Sequence, residues 1–146
     1  MFRSSSSHTI DPKGRVIIPA RFRPVLKAQK TYGVMVTNMD GCLYGYTYRE
    51  WEEVEAKILS HKTSNMARFR RFFLGNSVDC ICDRQDRILI PKGLRKYAGL
   101  TKDIVLVGNL DRFEVWDKTK WEETNVEAEQ DIQTEEIRKE ISSLGL

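Results

Sequence analysis

An α+β fold is predicted for this chain: a small, partly closed β-barrel of two similar halves, with helices on its outside. Three observations predict it. The phrase "IDPKGRVIIPARFR" at residues 10–23 returns as "CDRQDRILIPKGLR" at 82–95, so Asp11, Arg15, Ile18, Pro19 and Arg23 fall on Asp83, Arg87, Ile90, Pro91 and Arg95. The correspondence continues, with "VMVTNMDGCLYGY" against "VLVGNLDRFEVW" and the "WEE" at Trp51 against the "WEE" at Trp121. Within each copy, short β-branched runs alternate with turn residues and give way to a helical period. Two copies of so few strands cannot each bury both faces, and packing about a pseudo-twofold axis would let them interleave in one sheet.

The elements follow in order. Asp11-Pro12-Lys13-Gly14 has the residue preferences of a type I turn, and "RVII" leaves it as a strand. Pro19 and Pro91 sit where a helix can begin, and short helices are expected through Phe22–Lys27 and Leu94–Tyr97, the second stopped by Gly99. "YGVMVTN" and "CLYGYT" form a hairpin about Asp40-Gly41, with "DIVLVGN" and "FEVWD" as the second copy's pair. Thr47 with Glu50 makes a capping box before Trp51, Val54 and Ile58. Asp117 holds the same place before Trp121, with Thr119 and Glu122 as a competing cap. "MARFRRFFLG" (66–75) reads as a connecting helix with an aromatic stripe. Residues 126–144 space Ile137, Ile141 and Leu144 along one charged helix.

One domain is expected over 1–146. It comprises a first repeat at about 5–53, a helical connection at 54–76, a second repeat at about 77–123, and an acidic C-terminal helix or tail at 124–146. At 146 residues, 40% hydrophobic and 31% charged, the composition is that of a globular protein. Neither a signal-peptide core nor a membrane-length apolar run is present in the sequence, and three cysteines without framework spacing fit a reducing cytoplasm.

A net charge of +3 hides sorted charge. Residues 1–30 carry seven bases and one acid, residues 61–102 ten bases and three acids, and the tail from Glu122 two bases and eight acids. Each basic block contains one copy of the repeated phrase.

Catalysis finds little support. P-loop, dinucleotide and nucleophile-elbow motifs are missing, and His8 and His61 are the only candidate general bases near neutral pH. Cys80 and Cys82 lie on one face of a strand and Cys42 could approach them. Zinc loops want closer pairs, and buried free cysteine is the better reading. No enzyme, metal or cofactor is expected.

The doubled Asp-x₃-Arg admits two readings. In one, Asp11 caps its turn and Arg15 makes a surface ion pair of about 0–1 kcal/mol. In the other, Lys13, Arg15, Arg21 and Arg23 beside one turn, and Arg84, Arg87, Lys92, Arg95 and Lys96 beside the other, form a polyanion-binding face. There a turn-tip arginine can fork onto guanine O6 and N7 while its neighbours hold phosphates. The second reading requires that the two guanidinium groups are not both turned inward and neutralised by their own carboxylates.

"MFR", "IDPKGRVIIPARFR", "DRQDRILIP" followed by "LRKYAGLTKDIVLVG", and "RFEVWDKTKWEE" resemble the MraZ family, bacterial transcription regulators related in fold to AbrB-type swapped-hairpin DNA-binding proteins. The similarity covers residues 1 to about 123. It implies an AbrB/MraZ-like swapped-hairpin β-barrel that assembles as a homo-oligomeric ring on double-stranded DNA. The ring would act at the nucleoid, usually as a repressor, on G-rich direct repeats upstream of the division and cell-wall gene cluster.

Carried across by position, the DNA-contacting residues are Asp11, Lys13, Gly14 and Arg15, then Asp83, Gln85 and Arg87; from the clustering of basic residues, supporting contacts are expected from Arg3, Arg21, Arg23, Arg84 and Arg95. Where the family usually has glycine before the second arginine, this chain has Asp86. Aspartate tolerates a left-handed turn, yet its charge is expected to weaken Arg87 relative to Arg15. The alternative function is a protein-interaction module using the acidic tail and basic loops without DNA. Trp116, an aromatic in a strand, is expected in the core.

Overall fold

The computed structural model describes residues 1–146 as a mixed α+β protein. The first copy runs β1 (Ser5–Thr9), β2 (Arg15–Ile17), α1 (Arg23–Lys27), β3 (Gly33–Met39), β4 (Cys42–Tyr46) and α2 (Tyr48–Leu59). After α3 (Ser64–Gly75) the second repeats the order as β5 (Val78–Ile81), β6 (Arg87–Leu89), α4 (Lys92–Ala98), β7 (Asp103–Asn109), β8 (Arg112–Asp117) and α5 (Lys118–Asp131), with α6 (Glu135–Ser143) beyond. No helix is long and apolar enough to cross a membrane.

The copies interleave. One antiparallel sheet has the order β1-β7-β8-β4-β3-β5, and β2 pairs with β6 in a separate two-stranded ribbon. Exchanging each strand for its counterpart reproduces the same order, as a pseudo-twofold requires. β1 turns back into β2 through an Ile10–Val16 bridge, and β5 into β6 through the Asp83 N–H donated to the Arg87 carbonyl at 2.8 Å. The ribbon thereby links the sheet's two outer strands.

Side-chain alternation divides the core. Leu43, Phe113 and Val115 point toward the ribbon, whose inner residues Val16, Ile18, Ile88 and Ile90 are fully buried against them. Phe2, Phe22 and Phe113 meet there with ring centroids 5.1–5.4 Å apart. Tyr44, Tyr46 and Trp116 point the other way and pack with Trp51, Ile58 and Phe73. Trp116 is buried as expected, and its indole N–H donates to Glu114 Oε1 at 3.0 Å.

Local signals hold where a single turn contains them. Asp40 and Gly41 both have positive φ, +55° and +78°, the requirement of the two-residue hairpin. Thr47 accepts the Glu50 N–H, and Gly99 ends α4 at φ +67°. Asp117, not Thr119, caps α5 by accepting the Lys120 N–H.

Two expectations need correction. Pro19 does not open α1: its carbonyl accepts the Phe22 and Arg23 N–H groups in a separate turn, and α1 begins at Arg23 with Pro24 in its first turn. The C-terminal segment is two helices, broken where Thr134 Oγ donates to the Asp131 carbonyl and the chain at Thr134 turns extended before α6. Neither α5 nor α6 contains a buried residue.

Candidate nucleic-acid interface

The two repeated turns have the same wiring. In the first, Asp11 Oδ1 accepts the Lys13 and Arg15 N–H groups at 3.0 and 2.9 Å, and the Gly14 N–H closes the turn on the Asp11 carbonyl. In the second, Asp83 Oδ1 accepts the Gln85 and Arg87 N–H groups, both at 2.9 Å, and the Asp86 N–H closes on the Asp83 carbonyl. Each carboxylate thus satisfies loop donors that would otherwise need water. Asp11 is consequently held down to about 2, first by the Arg15 backbone N–H and then by its guanidinium, and Asp83 is lowered by the same bonds from Arg87.

Each aspartate also takes its own arginine. Arg15 Nε lies 2.5 Å from Asp11 Oδ2 and Arg87 Nε 2.9 Å from Asp83 Oδ2. The ion-pair reading is therefore correct about pairing. The guanidinium groups are not turned inward, however: the two side chains keep 34% and 25% exposure, and all four terminal Nη atoms are without a protein hydrogen bond. An arginine held at Nε presents its terminal fork at a set angle, which is the geometry a bidentate acceptor needs.

The loops are also locked across the repeats. The Gly14 carbonyl accepts the Ile90 N–H and the Asp86 carbonyl accepts the Ile18 N–H, each at 2.8 Å. Gly14 has φ +94°, and a Cβ there would lie 2.7 Å from Arg95 Nε and from the Ile90 carbonyl oxygen. Asp86 occupies the equivalent place at φ +60°, so the left-handed geometry survives.

Its charge, however, is not aimed at Arg87 alone. The Asp86 carboxylate accepts from Tyr32 Oη at 2.7 Å and lies 3.5 Å from Arg23 Nε and 3.9 Å from Lys27 Nζ. These two cations offset the charge expected to weaken the second loop, a consequence of folding that the linear sequence does not display.

Asp11, Lys13, Gly14 and Arg15 are thus gathered at one end of the ribbon, and Asp83, Arg84, Gln85 and Arg87 at the other. Lys13, Arg84 and Gln85 are exposed. The remaining supporting residues are differently engaged. Arg21 donates to the Arg3 and Ser4 carbonyls, Ser6 Oγ and the Leu106 carbonyl, and lies 4.3 Å from the Phe22 ring centroid, fastening the N-terminal segment. Arg3 is exposed at the far end of β1 from the first loop. Arg23 donates to the Ile18 carbonyl, and Arg95 leans over Gly14 with its Nε buried and unpartnered. Sequence reasoning passed over Ile17 and Leu89, which alternation places on the same ribbon face as Arg15 and Arg87.

Burial raises the cysteine thiols, Cys80 to about 12 and Cys82 to about 11, so the reactive thiolate is scarce near neutral pH. Cys42 packs in the other apolar cluster, and no group of three metal-ligating side chains converges.

The depressed aspartate makes one prediction. Asp11 has its folded-state value below the unfolded one of 3.8, so its support of the loop is complete above that pH and fades as the pH falls toward about 2. The Asp11 carboxyl carbon resonance is expected to titrate near 2, with the Lys13 and Arg15 amide signals shifting together. A midpoint at the ordinary value would mean the carboxylate is not bonded in solution.

A family model described as "MraZ protein, putative antitoxin-like" matches residues 1–76 and again 73–140. Over 146 residues, all of both chains, this protein is 56% identical to the "Transcriptional regulator MraZ" of Desulforapulum autotrophicum. Proteins of the same description from Desulfosudis oleivorans and Acetivibrio thermocellus are 49% and 38% identical over 148 residues, again covering all of both chains.

Proposed function

The chain belongs to the MraZ family, and from that premise we propose that it is a sequence-specific DNA-binding transcriptional regulator. The observation that carries the reading is the pair of identically wired loops on one ribbon, each holding an arginine at Nε with its terminal nitrogens unpartnered. Arg15 and Arg87 are the base readers, forking onto guanine O6 and N7 in the major groove. Lys13, Arg84 and Gln85 contact the backbone beside them, and Asp11, Gly14 and Asp83 set the loop path. Arg23 and Arg95 act through the opposite loop rather than as independent phosphate clamps, and Arg21 serves the scaffold.

The ribbon and sheet together correspond, on this reading, to the swapped-hairpin barrel of AbrB-type proteins. The regulator works in the cytoplasm at the nucleoid, as a repressor on G-rich direct repeats upstream of the division and cell-wall gene cluster. One chain offers two short loops, a small footprint. Assembly as a homo-oligomeric ring aligns several pairs, and DNA with several repeats then gains avidity without a new kind of contact.

Gel shifts on DNA upstream of the chain's own gene test this. Binding is expected to fall steeply with salt, by on the order of a thousandfold between about 50 and 200 mM if about six phosphates are neutralised. Duplexes with one repeat are expected to bind far more weakly than those with three. Affinity that barely moves with salt would leave no role for phosphate contacts.

A further inference from the structure

The outer face of the β2–β6 ribbon carries four side chains. Arg15 stands opposite Leu89 and Ile17 opposite Arg87, with Val16 and Ile88 between them turned into the core. Directly opposed residues have Cβ atoms about 5 Å apart, so the four form one compact patch. Ile17 and Leu89 are 48% and 56% exposed, although either position would accept a polar residue at no cost to the core. Single exposed aliphatics need no explanation. These two are equivalent in the repeats, and each sits beside an arginine whose terminal nitrogens are unpartnered.

Resting on the DNA-binding reading, we infer that Ile17 and Leu89 are specificity-determining residues that contact thymine 5-methyl groups while Arg15 and Arg87 read the adjacent bases. The major groove admits a two-stranded ribbon, and the thymine methyl is its one apolar mark. An aliphatic side chain flush with the ribbon buries that methyl as the neighbouring arginine reaches a base edge. Charge argues for DNA as the occupant. Lys13 and Arg84 at the loop tips flank the patch, and Asp11 and Asp83 are already paired. Asp103 beside Ile17 has no ion pair, yet with Arg15 and Arg87 the face stays net positive, so a second copy docking through it would oppose like charge.

The test compares two duplexes of the DNA upstream of the chain's own gene, one with thymine and one with deoxyuridine at every thymine position. Uracil pairs as thymine does but lacks the methyl. The full-length protein is expected to bind the uracil duplex more weakly, by about fourfold for each methyl contacted, the factor corresponding to one buried methylene-sized group. Ile17→Ala and Leu89→Ala are expected to weaken binding to the thymine duplex and each to shrink the thymine-to-uracil ratio, with unchanged melting temperature and particle size. Equal affinity of the unsubstituted protein for both duplexes overturns this inference and leaves the DNA-binding reading intact. Failure to bind either duplex above competitor DNA overturns the DNA-binding reading and this inference with it. A change in particle size in either variant assigns the patch to a subunit contact and overturns the thymine assignment.

Discussion

Replacing Arg15 with alanine is expected to cost about 1–3 kcal/mol for each arginine–guanine pair removed, a drop of about fivefold to 150-fold per site engaged. Where several loops of an assembly bind at once, the losses multiply and most specific affinity disappears. Stability should hardly change. The side chain's only protein bond is the Nε pair with Asp11 at a partly exposed position, the kind of solvent-screened pair that contributes little to stability. The melting temperature should therefore move by no more than a few degrees. Gel shifts and a thermal melt on the same preparation decide it, and a large melting shift with intact DNA binding would return Arg15 to a structural ion pair. Arg87→Ala is expected to come closer to Arg15→Ala than the neighbouring Asp86 implies, because Arg23 and Lys27 offset that carboxylate.

Phe113→Ala is expected to do the reverse. Phe113 is fully buried where the copies meet, in edge contact with Phe2, tilted against Phe22, and opposite Gly45 of the first copy. A Cβ on Gly45 would lie 2.6 and 2.7 Å from the ring's two Cε carbons, so the ring fills the space that the glycine leaves. Truncation removes the ring and leaves a cavity bounded by a rigid sheet, at a cost of about 3–5 kcal/mol. Thermal or denaturant unfolding measures it; a loss below about 1 kcal/mol would mean that the site collapses or that the ring is not packed there. Trp116, the aromatic that the sequence singles out, is also buried. Phe113 is the better probe because both repeats close on it.

The legible features share one property: their causes lie within a few residues of their effects. Asp40-Gly41, Thr47, Gly99 and the Asp11 and Asp83 turns each act on backbone groups one to four positions away, so residue type and spacing suffice. The tail misled because its apolar spacing is helical throughout, while Thr134 redirects its hydroxyl to the Asp131 carbonyl and interrupts the ladder. Pro19 misled because proline suits a turn as well as a first helical position, and here the turn wins.

The duplication, the element order from β2 through α5, the two aspartate-anchored turns and the sorting of charge into blocks need nothing beyond the linear chain, since each is written in local residue chemistry repeated at near-constant spacing, whereas β1 and the break between α5 and α6 emerge only in the folded chain. Which cations remain available is a matter of the closed fold. Arg21 is taken up by carbonyls as distant in sequence as Leu106, and Asp86 is met by Tyr32, Arg23 and Lys27 from the other repeat. Strand pairing also brings Ile17 and Leu89 onto one face with both arginines. The physical reason is that these contacts form only when the interleaved strands close, and the energy of burying the shared core, rather than any local preference, sets where those side chains meet.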